Sequence, residues 1–130
     1  MLSLKLWLTL RVHGREAYEE LIDHQMMLAK GLAEWVAASD YFELAAPQVL
    51  PILNLRLKGK GIGSQDLRAR HGAIVEEVNR DGQRWISTAM VNGQNVIRTM
   101  IISYLSEERH LHGLQSALQA AVTPAASLAA

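Results

Sequence analysis

The dipeptide Asn92-Gly93 constrains this chain more than any other local feature. It separates two largely apolar runs, residues 84–91 and 94–103. A two-residue hairpin turn needs positive φ at both central positions, and Asn followed by Gly tolerates this best. The two runs are therefore predicted to be adjacent antiparallel strands. Residues 52–58 add another: Leu53, Leu55 and Leu57 alternate with Asn54, Arg56 and Lys58, the period of a half-buried strand. Pro47 sets it apart from a short strand candidate at 41–45.

Between and around these strands the period is helical. From 15 to 39, Ala17, Leu21, Leu28, Leu32 and Trp35 recur at helical intervals, while Glu16, Glu19, Glu20, Asp23 and Lys30 take much of the other side. A second helix is predicted from Gln65, with Leu67, Ile74, Val75 and Val78 on one stripe and a stop at Asp81-Gly82. Ser106 is expected to cap a last helix, with Glu107 and Glu108 complementing its dipole. Leu111, Leu114, Leu118, Ala121 and Val122 form the buried face of that helix. The opening segment reads two ways. Leu2, Leu4, Leu6, Leu8, Leu10 and Val12 alternate as in a strand, yet leucine favours helix, and Leu4, Trp7, Leu8, Arg11 and Val12 fit helical spacing. The alternation leans to strand, and Gly14 ends the segment in either reading.

The order of elements predicts an α+β domain: an antiparallel sheet of about four strands, helices packed on one face, preceded by one or two N-terminal helices. Residues 1–123 are expected to form the domain and 124–130 a disordered Ala-rich tail. The last strand is apolar on both sides apart from Arg98 and Thr99. Ile97 and Ile101 point one way, and Val96, Met100 and Ile102 the other. Doubly apolar strands have both faces covered. Helices cover one face, so a second copy or a further domain is expected on the other.

Composition excludes several functions. Lys plus Arg is 13 and Asp plus Glu is 13, so the basic excess that phosphate backbones select is absent and no nucleic-acid partner is expected. Zero net charge offers little protection against association, and an oligomer is expected. The chain has no cysteine, which removes disulfides, thiolate metal sites and a cysteine nucleophile. The apolar start, residues 1–12, is too short to span a bilayer and is interrupted by Lys5 and Arg11. No membrane partner is expected, and the reading is cytoplasmic.

Several stretches together are similar to one known family. The run Ser3-Leu4-Lys5-Leu6-Trp7-Leu8-Thr9-Leu10-Arg11-Val12-His13-Gly14 resembles a signature of the group II pyridoxal-phosphate-dependent amino-acid decarboxylases, which include aromatic-amino-acid, histidine and glutamate decarboxylases. "DYFEL", "LNLRLKG", "VEEVNRDG", "VIRTMIIS" and "SEERH" follow in the family's order, so the resemblance runs from Ser3 to about Ala121. It implies the C-terminal small domain of such an enzyme, with a helical first run. It implies pyridoxal phosphate in the full-length family, held on a lysine preceded by histidine in a large upstream domain. None of His13, His24, His71, His110 and His112 precedes a lysine here. No catalytic or cofactor-binding residue is therefore assigned, no cofactor is expected on this chain alone, and the chain by itself is expected to be an inactive fragment. Its expected partners are the cofactor-binding large domain and a second copy, with the chain completing the substrate pocket and the dimer interface. The alternative is a non-catalytic, self-associating interaction module that retains the fold.

Arg98 is the one candidate substrate-binding residue. A charged side chain in an apolar strand needs a partner or a route to water. In the family an arginine occupies the matching place, which implies a position toward the active-site side. An acidic substrate would meet it as a bidentate carboxylate. The plainer reading is an arginine paired with a neighbouring carboxylate or reaching out at a sheet edge.

Other motifs carry less. Residues 58–64, "KGKGIGS", lie between a strand and a helix, where glycine amides can cradle phosphate. The spacing matches neither phosphate-binding glycine pattern, and a plain connection is expected. His110 and His112 are two apart, which on a helix points them away from each other, so no metal site is expected. Trp7, Trp35 and Trp85 read as core or interface anchors. Glu76-Glu77 and Glu107-Glu108 read as solvated helix positions, and no nucleophile is marked.

Overall fold

The computed structural model describes residues 2–59 and 62–127. Along the chain they form α1 (Leu2–Ala38), β1 (Phe42–Leu44), β2 (Ile52–Leu57), α2 (Ser64–Asn79), β3 (Ser87–Val91), β4 (Gln94–Met100) and α3 (Glu108–Ser127). The four strands make one antiparallel sheet in the order β1-β2-β4-β3. The three helices share one core with one face of that sheet, which is the α+β architecture expected.

Alternation explains which side is covered. In β2, Leu53, Leu55 and Leu57 are buried and the residues between them are half-buried. Register places Leu53 opposite Thr99 and Leu55 opposite Ile97, so the apolar positions of β2 and β4 fall on one face. Onto this face pack Leu28, Ala29, Leu32 and Val36 of α1, Ile74 and Val78 of α2, and Leu111, Leu114 and Leu118 of α3. Phe42, Leu32, Leu55, Ile97 and Leu118 are completely buried, and each such side chain contributes about 1.5–3 kcal/mol relative to exposure. The hairpin forms as expected: Asn92 (φ 50°) and Gly93 (φ 75°) turn β3 into β4, and Gly93 opposes no other atom, so backbone conformation is what selects glycine.

The structure corrects several local expectations. Residues 2–13 are helical, as the family resemblance implied and against the lean of the alternation alone. A strand needs a neighbour to satisfy its backbone, and among the described residues no strand pairs with this segment. A helix satisfies its own backbone, and leucine is well suited to it. The helical axis breaks at Gly14, whose φ of 75° and ψ of 174° lie outside the helical region. Of the apolar stripe expected on the next helix, Leu28 and Leu32 are buried, but Ala17 is exposed and Leu21 only half-buried, because the core begins at Gln25.

The last helix starts differently from expectation. Glu107, not Ser106, holds the capping position: its carbonyl accepts the N–H of Leu111, and the Nδ1 of His110 accepts the N–H of Glu107 at 3.0 Å. His110 thereby performs the reach-back half of a capping box. The backbone of α3 is helical to Ser127, so the tail expected at 124–130 lies partly outside the described residues, as do Lys60 and Gly61 of the glycine loop. Trp35 is half-buried with its ring 6.2 Å from that of Phe42, whereas Trp7 (56% exposed) and Trp85 (70% exposed) are not core residues.

Candidate functional site

The sheet face that carries no helix is the place where this domain can meet another molecule. It is less apolar than the sequence suggested. Val96 is on this side but is fully buried within the chain, Met100 is exposed, and Ile102 lies beyond the end of β4. What dominates the face is polar. Two arginines sit on it, one on each inner strand, and their surroundings differ.

Arg56 on β2 is tied down. It donates through Nε to Oε1 of Glu43 on β1 at 2.8 Å, and it also bonds Gln94 on β4. A single guanidinium thus bridges three strands. Its ion pair with Glu43 is about one-third exposed on each side, so screening keeps its worth to the surface range of ~0.2–1 kcal/mol. Arg98 on β4 is different. It is half-buried, and its Nε donates to Oδ1 of Asn54 at 3.3 Å. Among the described residues no carboxylate pairs with it. Its two cross-strand neighbours are neutral: Asn54 on β2 and Ser87 on β3. The reading that had Arg98 pairing with a nearby carboxylate is not what this arrangement provides.

On the other face, His71 of α2 is fully buried and joins two strands. Its Nε2 accepts the backbone N–H of Leu57 at 3.2 Å, and its Nδ1 lies 3.0 Å from Oδ1 of Asn95. Since Nε2 must accept from an amide, Nδ1 carries the proton and donates to Asn95. Burial pushes the imidazole pKa below its ordinary value; the hydrogen bonds to Asn95 oppose that, and the nearby Arg56 charge reinforces it. Sequence reasoning passed over His71, although it falls four residues after Leu67 and three before Ile74 on the buried stripe. It passed over Asn54 as well, for which only the register gave a signal.

Other candidates resolve into structural parts. Lys58 donates to the carbonyl of Ser39 at 2.6 Å, closing the end of α1 onto β2. Gly63 precedes α2 without any side-chain cap, and Asp66 in the first turn places a negative charge where an anion would sit. The Nε2 of His24 lies 3.0 Å from the carbonyl of Ser106. A cleft of 340 Å³ opens between the end of β4 and the start of α3, lined by Arg84, Trp85, Thr99, His110 and Leu111 among others. The Oγ1 of Thr99 there is buried without a partner. A groove of 540 Å³ follows the break in α1, between Thr9, His13, Ala17, Tyr18, Leu21 and Tyr104. Among the described residues, no three His, Asp or Glu side chains come together as a metal would need, and no helix is long and apolar enough to cross a membrane.

Pyridoxal phosphate needs a lysine in a recess, an acid facing the ring nitrogen and a phosphate cradle. Lys5, Lys30 and Lys58 are all exposed; Lys58 shares a cleft of only 90 Å³ with Asp40, and its ammonium is taken by the carbonyl of Ser39. The described residues do not fit the cofactor.

No family model matches the sequence. Individual proteins do. Phenylacetaldehyde synthase of Arabidopsis thaliana is 29% identical over 109 residues, covering 84% of this chain and 22% of that protein. The structure of Catharanthus roseus tryptophan decarboxylase in complex with L-tryptophan superimposes with a TM-score of 0.78 at 28% identity, over 90% of this chain and 25% of that one. That of Oryza sativa TDC with PLP and tryptamine shares the fold, with a TM-score of 0.83 at 24% identity over 93% of this chain and 26% of that one. The chain thus spans about a quarter of the length of the proteins it matches. In sequence and in fold it is similar to the C-terminal small domain of the group II pyridoxal-phosphate-dependent amino-acid decarboxylases.

Proposed function

We propose that residues 1–123 act as the small domain of a pyridoxal-phosphate-dependent amino-acid decarboxylase, with the cofactor and its lysine carried by a separate large domain. The observation that carries this is the helix-free sheet face, which presents an arginine with no carboxylate partner among the described residues. In this reading Arg98 is a substrate-binding residue. The bare face lies against the large domain, and Arg98 reaches the pocket between them and grips a carboxylate of the amino acid. The exposed apolar start of α1, with Leu4, Leu6, Trp7, Leu8, Leu10 and Val12, supplies the contact that holds a homodimer together. The whole assembly is cytoplasmic, and the chain alone releases no carbon dioxide from amino acids.

The test is reconstitution. The chain is co-expressed with the polypeptide encoded immediately upstream, and the product is assayed for a complex, bound pyridoxal and carbon dioxide release. A complex that decarboxylates only when both parts are present is the expected result. Activity of the chain alone, or no association, overturns the reading. Within the complex, Arg98→Ala should alter the choice among substrates while leaving the melting temperature nearly unchanged.

A second reading has its own support. The apolar segment 4–12 is exposed almost all round, which also suits a self-associating module without catalysis. Sedimentation separates the two: a discrete dimer that ignores the upstream polypeptide favours the module.

A further inference from the structure

We infer that Asn54 is a positioning residue that aims Arg98: it holds the Nε edge of the guanidinium, and both terminal nitrogens, which have no partner among the described residues, form a fork for a carboxylate. This rests on the reading of Arg98 as a substrate-facing residue and goes one step beyond it.

Two arginines on the helix-free face stand in different surroundings. Both lie on inner strands of the same sheet, and both have a cross-strand neighbour that can accept a hydrogen bond. The acceptor of Arg56 is the carboxylate of Glu43, and its other side is used by Gln94. Its charge is neutralised and its fork is occupied. The acceptor of Arg98 is an uncharged amide oxygen directly opposite in register, and it engages only Nε. The remaining neighbour in register, Ser87, is also uncharged. A guanidinium has five donors in a rigid plane, so fixing Nε fixes the direction of the other four. A carboxylate at position 54 would do the same steering but would also cancel the charge. An aliphatic residue would leave the charge but release the aim. Asn is the residue type that orients without neutralising. Half-burial adds to the effect, because a partly desolvated guanidinium binds a carboxylate more strongly than one fully in water.

The experiment uses the full chain, labelled with nitrogen-15, and acetate as the probe. The side-chain Nε–H signal of Arg98 is followed during an acetate titration, with chloride at equal ionic strength as the reference. The parent should show a saturable shift specific to acetate. Asn54→Ala should weaken the apparent affinity about fivefold, the equivalent of one ordinary hydrogen bond. Asn54→Asp should abolish the acetate response by pairing with the arginine. The Nε–H signal of Arg56 and the melting temperature report that the fold is kept. If Arg98 responds to acetate and both substitutions leave that response intact, the role of Asn54 is refuted while the reading of Arg98 stands. If Arg98 in the parent does not respond to acetate at all, that reading falls too. Should Asn54→Ala not fold, Asn54→Asp decides the matter alone, since full acetate affinity in that variant contradicts the inference.

Discussion

Acidification should destabilise this domain through one side chain, His71. The imidazole is fully buried and accepts the N–H of Leu57 on Nε2 while donating from Nδ1 to Asn95. A second proton would have to sit on Nε2. It would face an amide hydrogen, break that bond and place a charge in the core beside the Arg56 charge. The folded-state pKa therefore lies below the ordinary value of 6.5. Above the unfolded pKa, both states have a neutral imidazole and stability does not depend on this group. As pH falls below 6.5, the unfolded chain takes up a proton that the folded chain refuses. Stability drops with a slope approaching ~1.4 kcal/mol per pH unit, until the folded imidazole itself is protonated. Urea titrations at pH steps between about 7.5 and 5 measure that slope. The comparison is His71→Gln, whose amide can accept from Leu57 and donate to Asn95 without titrating. It should lose ~1–2 kcal/mol at neutral pH, from imperfect replacement of two buried hydrogen bonds. Its stability should decline less steeply on acidification, so the two curves converge. Parallel curves for parent and variant over that range would refute the assignment of the neutral Nδ1–H imidazole.

Three further outcomes are expected. Leu32→Ala, at a completely buried site among the three helices and the sheet, should lower unfolding free energy by ~2–5 kcal/mol in denaturant titration. Gly93→Ala places a Cβ at φ 75° in the hairpin turn, and although space is open there it should cost ~1 kcal/mol by thermal melting. Paired replacement of Trp7 and Leu10 by Ser removes exposed apolar surface outside the core, so it should change monomer stability by less than ~0.5 kcal/mol. The same pair should weaken association measured by sedimentation, and unchanged association would exclude this segment as a contact.

Legibility in the sequence followed how local each cause is. The hairpin was readable because the backbone needs of two adjacent residues dictate it. The stripes of α3 and β2 were readable because burial on one side imposes a period, and each expected core residue there is buried. The stripe of α1 failed over its first turns after Gly14: Ala17 and Leu21 have the pattern of core residues but lie outside the buried cluster, in an open groove beside Tyr104. His71 was missed because a polar residue on an apolar stripe looks like an interruption until Leu57 and Asn95, fourteen and twenty-four residues away, are seen to satisfy it.

By itself the sequence determined the alternation of helices and strands, the turn at Asn92-Gly93, and a resemblance strong enough to place the chain beside a family. Those depend on neighbours in the chain, on periodicity and on descent. For residues 2–13 the alternating leucines permit both helix and strand; the resemblance implied helix, and the tertiary structure has it, with no strand pairing to the segment among the described residues. Only the tertiary structure decided which arginine is neutralised and which is not. Arg56 and Arg98 are both charged residues within largely apolar runs of the sequence. Register alone sets Glu43 against the first and Asn54 against the second, and a charge keeps its reach only where the residue across the strand does not cancel it.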